Sequence, residues 1–309
     1  MAGSALSARR APEVGSKPIE HPGFWLAAWI RFRHNRMAII GLYLVAFLVA
    51  LSIIGPWVSR YDYDGTDLQS VSMPPSLHHP MGTDVLGRDL LTRLLFGGRI
   101  SLAVGICATL VSLLIGVTYG SVAGFARQRT NDLMMRLVDI LYAIPFSIFV
   151  IVLMVVFGRN FMLLFLAIGA VEWLTMARIV QAQVQAVKKQ SFVKAAHLLD
   201  YSKGRILFRH ILPNVLGPVV VYTTLTIPRV ILLESFLSFL GLGIQPPMSS
   251  WGLLIKYGAD SMEAYPWLLV FPGITLSLTL FAFNFIGDGL RDALDPRFDP
   301  AAKAVEPSA

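Results

Sequence analysis

The stretch VKAAHLLDYSKGRILFRHILPN, Val193 to Asn214, decides how the chain is organised. It is polar and basic, and it lies between two strongly apolar regions. Lys194, Lys203, Arg205 and Arg209 crowd it, with Lys188 and Lys189 just ahead. The residues predict a helix followed by the start of a second. Ala195, Ala196, Leu198 and Leu199 are helix formers, Gly204 is the expected break, and Pro213 suits a first helical turn, where its missing N–H is not needed. Two adjacent alanines offer a face without side-chain bulk, which lets another protein's backbone approach. An amphipathic helix lying on a membrane, its basic side chains reaching to water, accounts for the same pattern. The physics of this stretch leaves both open.

The flanks place it in a membrane protein. Of 309 residues, 55% are hydrophobic and only 15% charged, with a mean hydropathy of +0.63. A soluble domain carries about 25% charged residues. The apolar residues come in long uncharged runs, so the expected fold is all-α and polytopic, in contact with the lipid bilayer. Cys107 is the single cysteine and sits inside an apolar run, which excludes a disulfide framework and a thiolate metal site. A net charge of +7 would point to nucleic acid in a soluble protein. Here its distribution follows membrane topology, and no nucleic-acid partner is expected. The first apolar run, at Met37, is too long and too late for the core of a cleavable signal peptide.

Taken in order, residues 1–36 are expected as an N-terminal tail. Its last part, Gly23 to Ile30 (GFWLAAWI), is an interfacial helix with Trp25 and Trp29 on one face. Residues 37–58 are long enough to span a bilayer. A net acidic loop, 59–98, follows. Ile100 to Ala126 is the second span. Its Gly116, Gly120 and Gly124, spaced by four, fit either a small-residue packing stripe or glycines merely tolerated in a membrane helix. Leu137 to Gly158 is the third span, kinked at Pro145. A tight turn at 158–160 leads into the fourth, Phe161 to about Ala177. Ile211 to about Phe236 is the fifth, and Leu237 to Ala264 is a second long loop. Ala264 to Gly287 is the sixth span, and 289–309 are a tail.

Most of the 26 Lys and Arg residues fall before Met37, at 127–136, within 178–209 or after 290. Six fall in the alternate segments: Arg60, Arg88, Arg93, Arg99, Arg159 and Lys256. The positive-inside rule therefore puts both termini and the basic stretch in the cytoplasm.

No site for covalent chemistry is expected. No Gly-rich phosphate loop precedes a Lys-Ser/Thr pair, so the chain is not an ATPase by itself. His78, His79, Asp84 and Asp89 invite a metal reading, but no ligand pair recurs at helical spacing. The glycines among them imply turns, and Asp89 is better placed to open a helix at DLLTRLLFGGRISL. Charges inside spans are costly and are default functional candidates. Glu172, Arg229 and Glu234 are the candidates for a path or gate. Arg229 and Glu234 are five apart, so each is expected to pair with another span or another chain rather than with the other. Asp139 lies near a span end, where an interfacial role suffices.

The motifs carry a resemblance. Ala195, Ala196, Leu212 and Pro213 are similar to the E-A-A…I-x-L-P loop of ABC-transporter inner-membrane permeases, and Arg209 to Asn214 (RHILPN) resembles its ending in the peptide branch. Lys194 stands where Glu is usual, and Asp200 where Gly is usual. Gly82 to Asp89 (GTDVLGRD) resembles a signature of the dipeptide/oligopeptide/nickel permeases, chiefly their C-type subunit. Glu234 to Gly252 (ESFLSFLGLGIQPPMSSWG) and Asp288 to Arg297 (DGLRDALDPR) are similar to two further blocks of that family.

The resemblance implies a type I ABC importer permease fold with six transmembrane helices, a core at 99–288 and a coupling loop at 183–212. It implies ATPase docking by Val193, Lys194, Ala195, Ala196, His197, Leu199, Asp200, Gly204 and Arg209. It further implies a second homologous permease, two ABC ATPase subunits that bind ATP and Mg, an extracytoplasmic substrate-binding protein, and a bacterial inner-membrane location. No cofactor is expected on this chain. Nickel or glutathione importers share the signatures. A secondary transporter driven by an ion gradient is the alternative from another class; it would be expected to show inverted repeats and more charge at the midplane.

Overall fold

In the computed structural model, residues 23–158 and 161–295 are described. The expected tails at 1–22 and 296–309, and most of the turn at 158–160, lie outside them. The described chain is helical; its one β feature is an isolated bridge between Thr83 and Asp89. The elements are α1 (Phe24–His34), α2 (Arg36–Val58), α3 (Leu90–Phe125), α4 (Gln128–Tyr142), α5 (Phe146–Phe157), α6 (Phe161–Lys188), α7 (Ser191–Leu198), α8 (Lys203–Arg205), α9 (Leu212–Phe239), α10 (Trp251–Asp260) and α11 (Trp267–Leu294). A π-helical segment, Ile206–Ile211, joins α8 to α9.

Five helical stretches are long and apolar enough to cross a membrane: α2, α3, α6, the run from Lys203 to Phe239, and α11. The sixth apolar element, α5, is shorter, because the expected third span is divided. α4 ends at Tyr142, and Pro145 stands as the N-cap of α5. Proline has no N–H to donate and disfavours helical geometry in the residue before it, so the kink expected at Pro145 becomes a break. The expected tail from 289 also begins later, since α11 runs to Leu294.

α3 and α6 pack along the glycine stripe. A Cβ at Gly116 would lie 2.5 Å from Met176 Cβ, one at Gly124 2.7 Å from the Gln181 carbonyl oxygen, and one at Gly120 would overlap the Ala177 carbonyl. The glycines thus bring two backbones together rather than being merely tolerated. Gly120→Leu is expected to force α3 from α6 and to lower stability by about 3 kcal/mol, at the severe end of overpacking. Thermal unfolding of the purified complex in detergent would read this; an unchanged midpoint would count against the packing argument.

α1 lies across the end of α11, with Ala28 and Phe32 buried and Trp25, Leu26 and Trp29 exposed. A helix was expected here from Gly23 to Ile30; the observed one runs a few residues further toward the C-terminus.

Candidate docking site and charges inside the bundle

α7 stands at one end of the bundle with α1 and the end of α11. Its residues divide by helical period. Val193 and Ala196, three apart, face inward onto Met176, Val180 and Val184 of α6 and onto Ile206, Ile211 and Val215. Lys194, Ala195, His197, Leu199 and Asp200 are exposed, as are Gly204 and Arg209 beyond them. Only one of the two alanines therefore offers a bare face. Ala195 does, whereas Ala196 is seated in the protein's own core, because an eight-residue helix anchored at Val193 must turn position 196 the same way. Leu198, not singled out from the sequence, is 87% exposed, and Leu199 is 67% exposed. Phe208 is exposed close by. The signal for Leu198 was available: it lies on the side opposite the Val193–Ala196 pair.

The helix does not end at Gly204. It ends at Leu198, with Leu199 as its C-cap, and Asp200 takes the left-handed conformation at φ 56°. The Tyr201 N–H donates to the Ala196 carbonyl (3.2 Å) and the Asp200 N–H to that of His197 (3.1 Å), the paired bonds that close a helix C-terminus around a left-handed residue. The left-handed conformation is one that glycine adopts without strain. Asp enters the left-handed region more readily than most residues, though less readily than glycine. Asp200→Gly is expected to stabilise the loop by about 1 kcal/mol. Hydrogen exchange at the Tyr201 amide would slow if this is right; faster exchange would contradict it.

Beyond the cap, Tyr201 stacks on His210 at 5.9 Å, and the Arg205 guanidinium lies 5.3 Å from the Tyr201 ring. Pro213 has no N–H to return to the Arg209 carbonyl. The helix widens to π geometry over the residues before it instead of starting anew at Pro213. The other arm of the site is tied down by Lys188, whose Nζ donates to the carbonyls of Phe125 (2.8 Å) and Ala126 (3.0 Å) at the end of α3. A cation at a helix C-terminus meets otherwise unpaired carbonyls.

The charges inside the bundle have distinct places. Glu172 on α6 is buried and pairs with Arg229 on α9, Nε to Oε1 at 3.4 Å. Arg229 thus pairs with another span, as its spacing from Glu234 required. Asp139 pairs with Arg178 at 2.7 Å in exposed surroundings.

Glu234 sits within this chain's own packing. It is fully buried, accepting hydrogen bonds from Ser101 of α3 (3.1 Å) and Ser238 of α9 (2.7 Å). Ser238 also meets Ser250, which caps α10, and Ser101 accepts from the Trp251 N–H at 3.2 Å. The carboxyl group is therefore the centre of a polar knot that seats the 241–252 loop on α3 and α9. Gly252 lies against the Ser235 backbone closely enough to exclude any side chain. Ser238, one turn along α9, was visible in the order of residues; the approach of Ser101, 133 positions away, was not.

At the opposite end, GTDVLGRD forms a self-bonded turn. Asp84 accepts from the N–H groups of Leu86 and Arg88 and from Arg88 Nε at 2.7 Å. Asp89 caps α3 by accepting from the Thr92 N–H (2.8 Å) and also meets His79 Nδ1 at 3.0 Å. Gly82 and Gly87 adopt positive φ, with Met73 and Asp67 backbone atoms where a Cβ would stand. The carboxylates are thus engaged in holding the turn and capping the helix, as the sequence indicated for Asp89.

These features define a multi-pass helical membrane protein with an exposed helix presented at one end. Residues 116–300 match the family model described as "binding-protein-dependent transport system inner membrane component". Residues 23–75 match the "N-terminal TM domain of oligopeptide transport permease C". The chain belongs to the binding-protein-dependent family of inner-membrane transport components. It is 48% identical over 289 residues to the oligopeptide transport system permease protein OppC of Haemophilus influenzae, covering 93% of each chain. It is 50% identical to OppC of Escherichia coli, covering 90% of this chain and 93% of the other. It is 44% identical to the dipeptide transport system permease protein DppC of Bacillus subtilis, covering 87% and 85%. It is an ABC-importer permease subunit and a component of a larger transport complex.

Proposed function

We propose that this chain is the C-type half of the membrane channel of an ATP-driven importer of di- and oligopeptides. Its relatives' names supply the substrate class. The observation that carries the mechanism is α7: a short helix fastened from beneath by Val193 and Ala196 and offering Leu198, Leu199 and basic side chains outward. In this reading α7 docks on an ABC ATPase, one of two that bind ATP and Mg, and this chain binds no cofactor. A second homologous permease completes the path, and an extracytoplasmic binding protein delivers the peptide. Both termini and α7 are cytoplasmic, as the distribution of Lys and Arg favours.

The mechanism follows from rigidity. Closure of the ATPases on ATP moves α7. Because α7 shares one core with α6 and α9, those spans move with it, and the bundle changes the side on which its path is open.

The test is uptake of a labelled tripeptide by proteoliposomes containing the whole complex and its binding protein. Uptake should require ATP and survive collapse of ion gradients. Uptake driven by a gradient without ATP would instead support a secondary transporter, and uptake of nickel or glutathione in place of peptides would reassign the cargo.

A further inference from the structure

The break between α4 and α5 opens on a cavity of ≈ 230 Å³ lined by Tyr142, Pro145, Phe146, Glu172, Thr175 and Arg229, among others. Depth can be counted along the helices. Phe146 lies eleven residues before the end of α5, Glu172 eleven after the start of α6, and Arg229 ten before the end of α9. At 1.5 Å per residue each is about 15–17 Å from a helix end on the same side of the bundle. A hydrocarbon layer is about 30 Å thick, so the three meet near its middle. Irregular backbone at that depth requires protein or a water-filled cavity around it.

Two features of the cavity favour an anion. The first is Arg229. Its side chain is 54% exposed although Glu172 pairs with it, Nε to Oε1 at 3.4 Å, so the guanidinium keeps an open side. The second is the start of α5, where Pro145 provides no side-chain cap for the first N–H groups of a twelve-residue helix. A helix start without a side-chain cap and a half-exposed guanidinium lining one cavity suit a carboxylate.

We propose that Arg229, held by Glu172 beside the broken helix, is a transient binding point for the C-terminal carboxylate of the peptide in transit. This rests on the peptide-importer reading. Glu172 has two roles here: it keeps the guanidinium charge tolerable inside the membrane, and it competes with the cargo, so that the carboxylate is held weakly enough to leave. The cavity thereby favours peptides with a free C-terminus at the translocation step, separately from any preference of the binding protein.

The experiment compares a tripeptide with its C-terminal amide in proteoliposomes containing the whole complex. Each peptide is supplied at a concentration that saturates the binding protein in its own titration. The wild-type complex should import the acid about tenfold faster than the amide. Arg229→Gln should slow the acid about tenfold and leave the amide within twofold, and Arg229→Lys should keep part of the preference. Equal import of acid and amide by the wild-type complex overturns the proposal, whether or not a variant assembles. Equal slowing of both peptides by Arg229→Gln also overturns it and assigns the guanidinium to holding spans or to a carboxylate of the second permease. Failure of the wild-type complex to import either form with ATP would reject the importer reading itself.

Discussion

Leu198→Asp should uncouple transport while leaving the bundle folded. The side chain is almost wholly exposed, so its replacement removes no internal packing. In the docked complex it would be an apolar anchor at the centre of a small interface. Burying an unpaired carboxylate there should cost at least about 2 kcal/mol, the scale of an interfacial hot spot. That corresponds to roughly thirtyfold weaker docking. Peptide uptake and peptide-stimulated ATP hydrolysis should fall together, by tenfold or more, with the unfolding temperature of the permease pair unchanged. Retained coupling would show that α7 is not the docking element. Ala196 would be a poor site for this test: a charged side chain there would enter the cluster beneath α7, and loss of fold would be indistinguishable from loss of coupling.

The second large effect is expected at Glu234. Glu234→Ala removes the acceptor shared by Ser101 and Ser238 and leaves a void where α3, α9 and the 241–252 loop converge. Each stranded hydroxyl costs about 1–3 kcal/mol when buried. The total should be at least about 3 kcal/mol, seen as a lowered unfolding temperature and faster proteolysis of the loop before α10. Glu234→Gln keeps an acceptor and much of the volume and should lose less than half as much. Alanine and glutamine variants of equal, wild-type stability would dismiss the knot as a structural element.

The spans were legible because an uninterrupted apolar run of about twenty residues is what the thickness of a bilayer demands of a helix. The role of Asp89 was legible because a cap is a local event, settled within three residues. Elsewhere the deciding contacts were remote or the period too short to see. α7 has only eight residues, so which alanine faces inward depends on Met176 and Val180 of α6 rather than on its own pattern. The left-handed turn at Asp200 was hidden because aspartate is an uncommon choice where glycine fits without strain. α10 lay unseen within a loop of mixed polarity, and its placement depends on Trp251, whose indole N–H reaches the Leu94 carbonyl at 3.1 Å. Glu234 has Ser238 one turn along its own helix, but Ser101 comes from α3, 133 positions away, and only the fold brings it to the carboxyl group. Arg229 and Glu172 are fifty-seven positions apart, and only the crossing of α6 and α9 brings them together.

The glycine stripe has a mechanical consequence. At the contact of Gly120 with Ala177, the end of α6 at Lys188 is about 16 Å away along the helix and Glu172 about 8 Å away on the other side. If α6 pivots at that contact, it is a lever with a ratio near two. Displacements imposed at the α7 end are then halved at the charged pair, while the force there is doubled. A fulcrum so placed trades travel for force, which suits a task of parting an ion pair more than one of opening a wide passage.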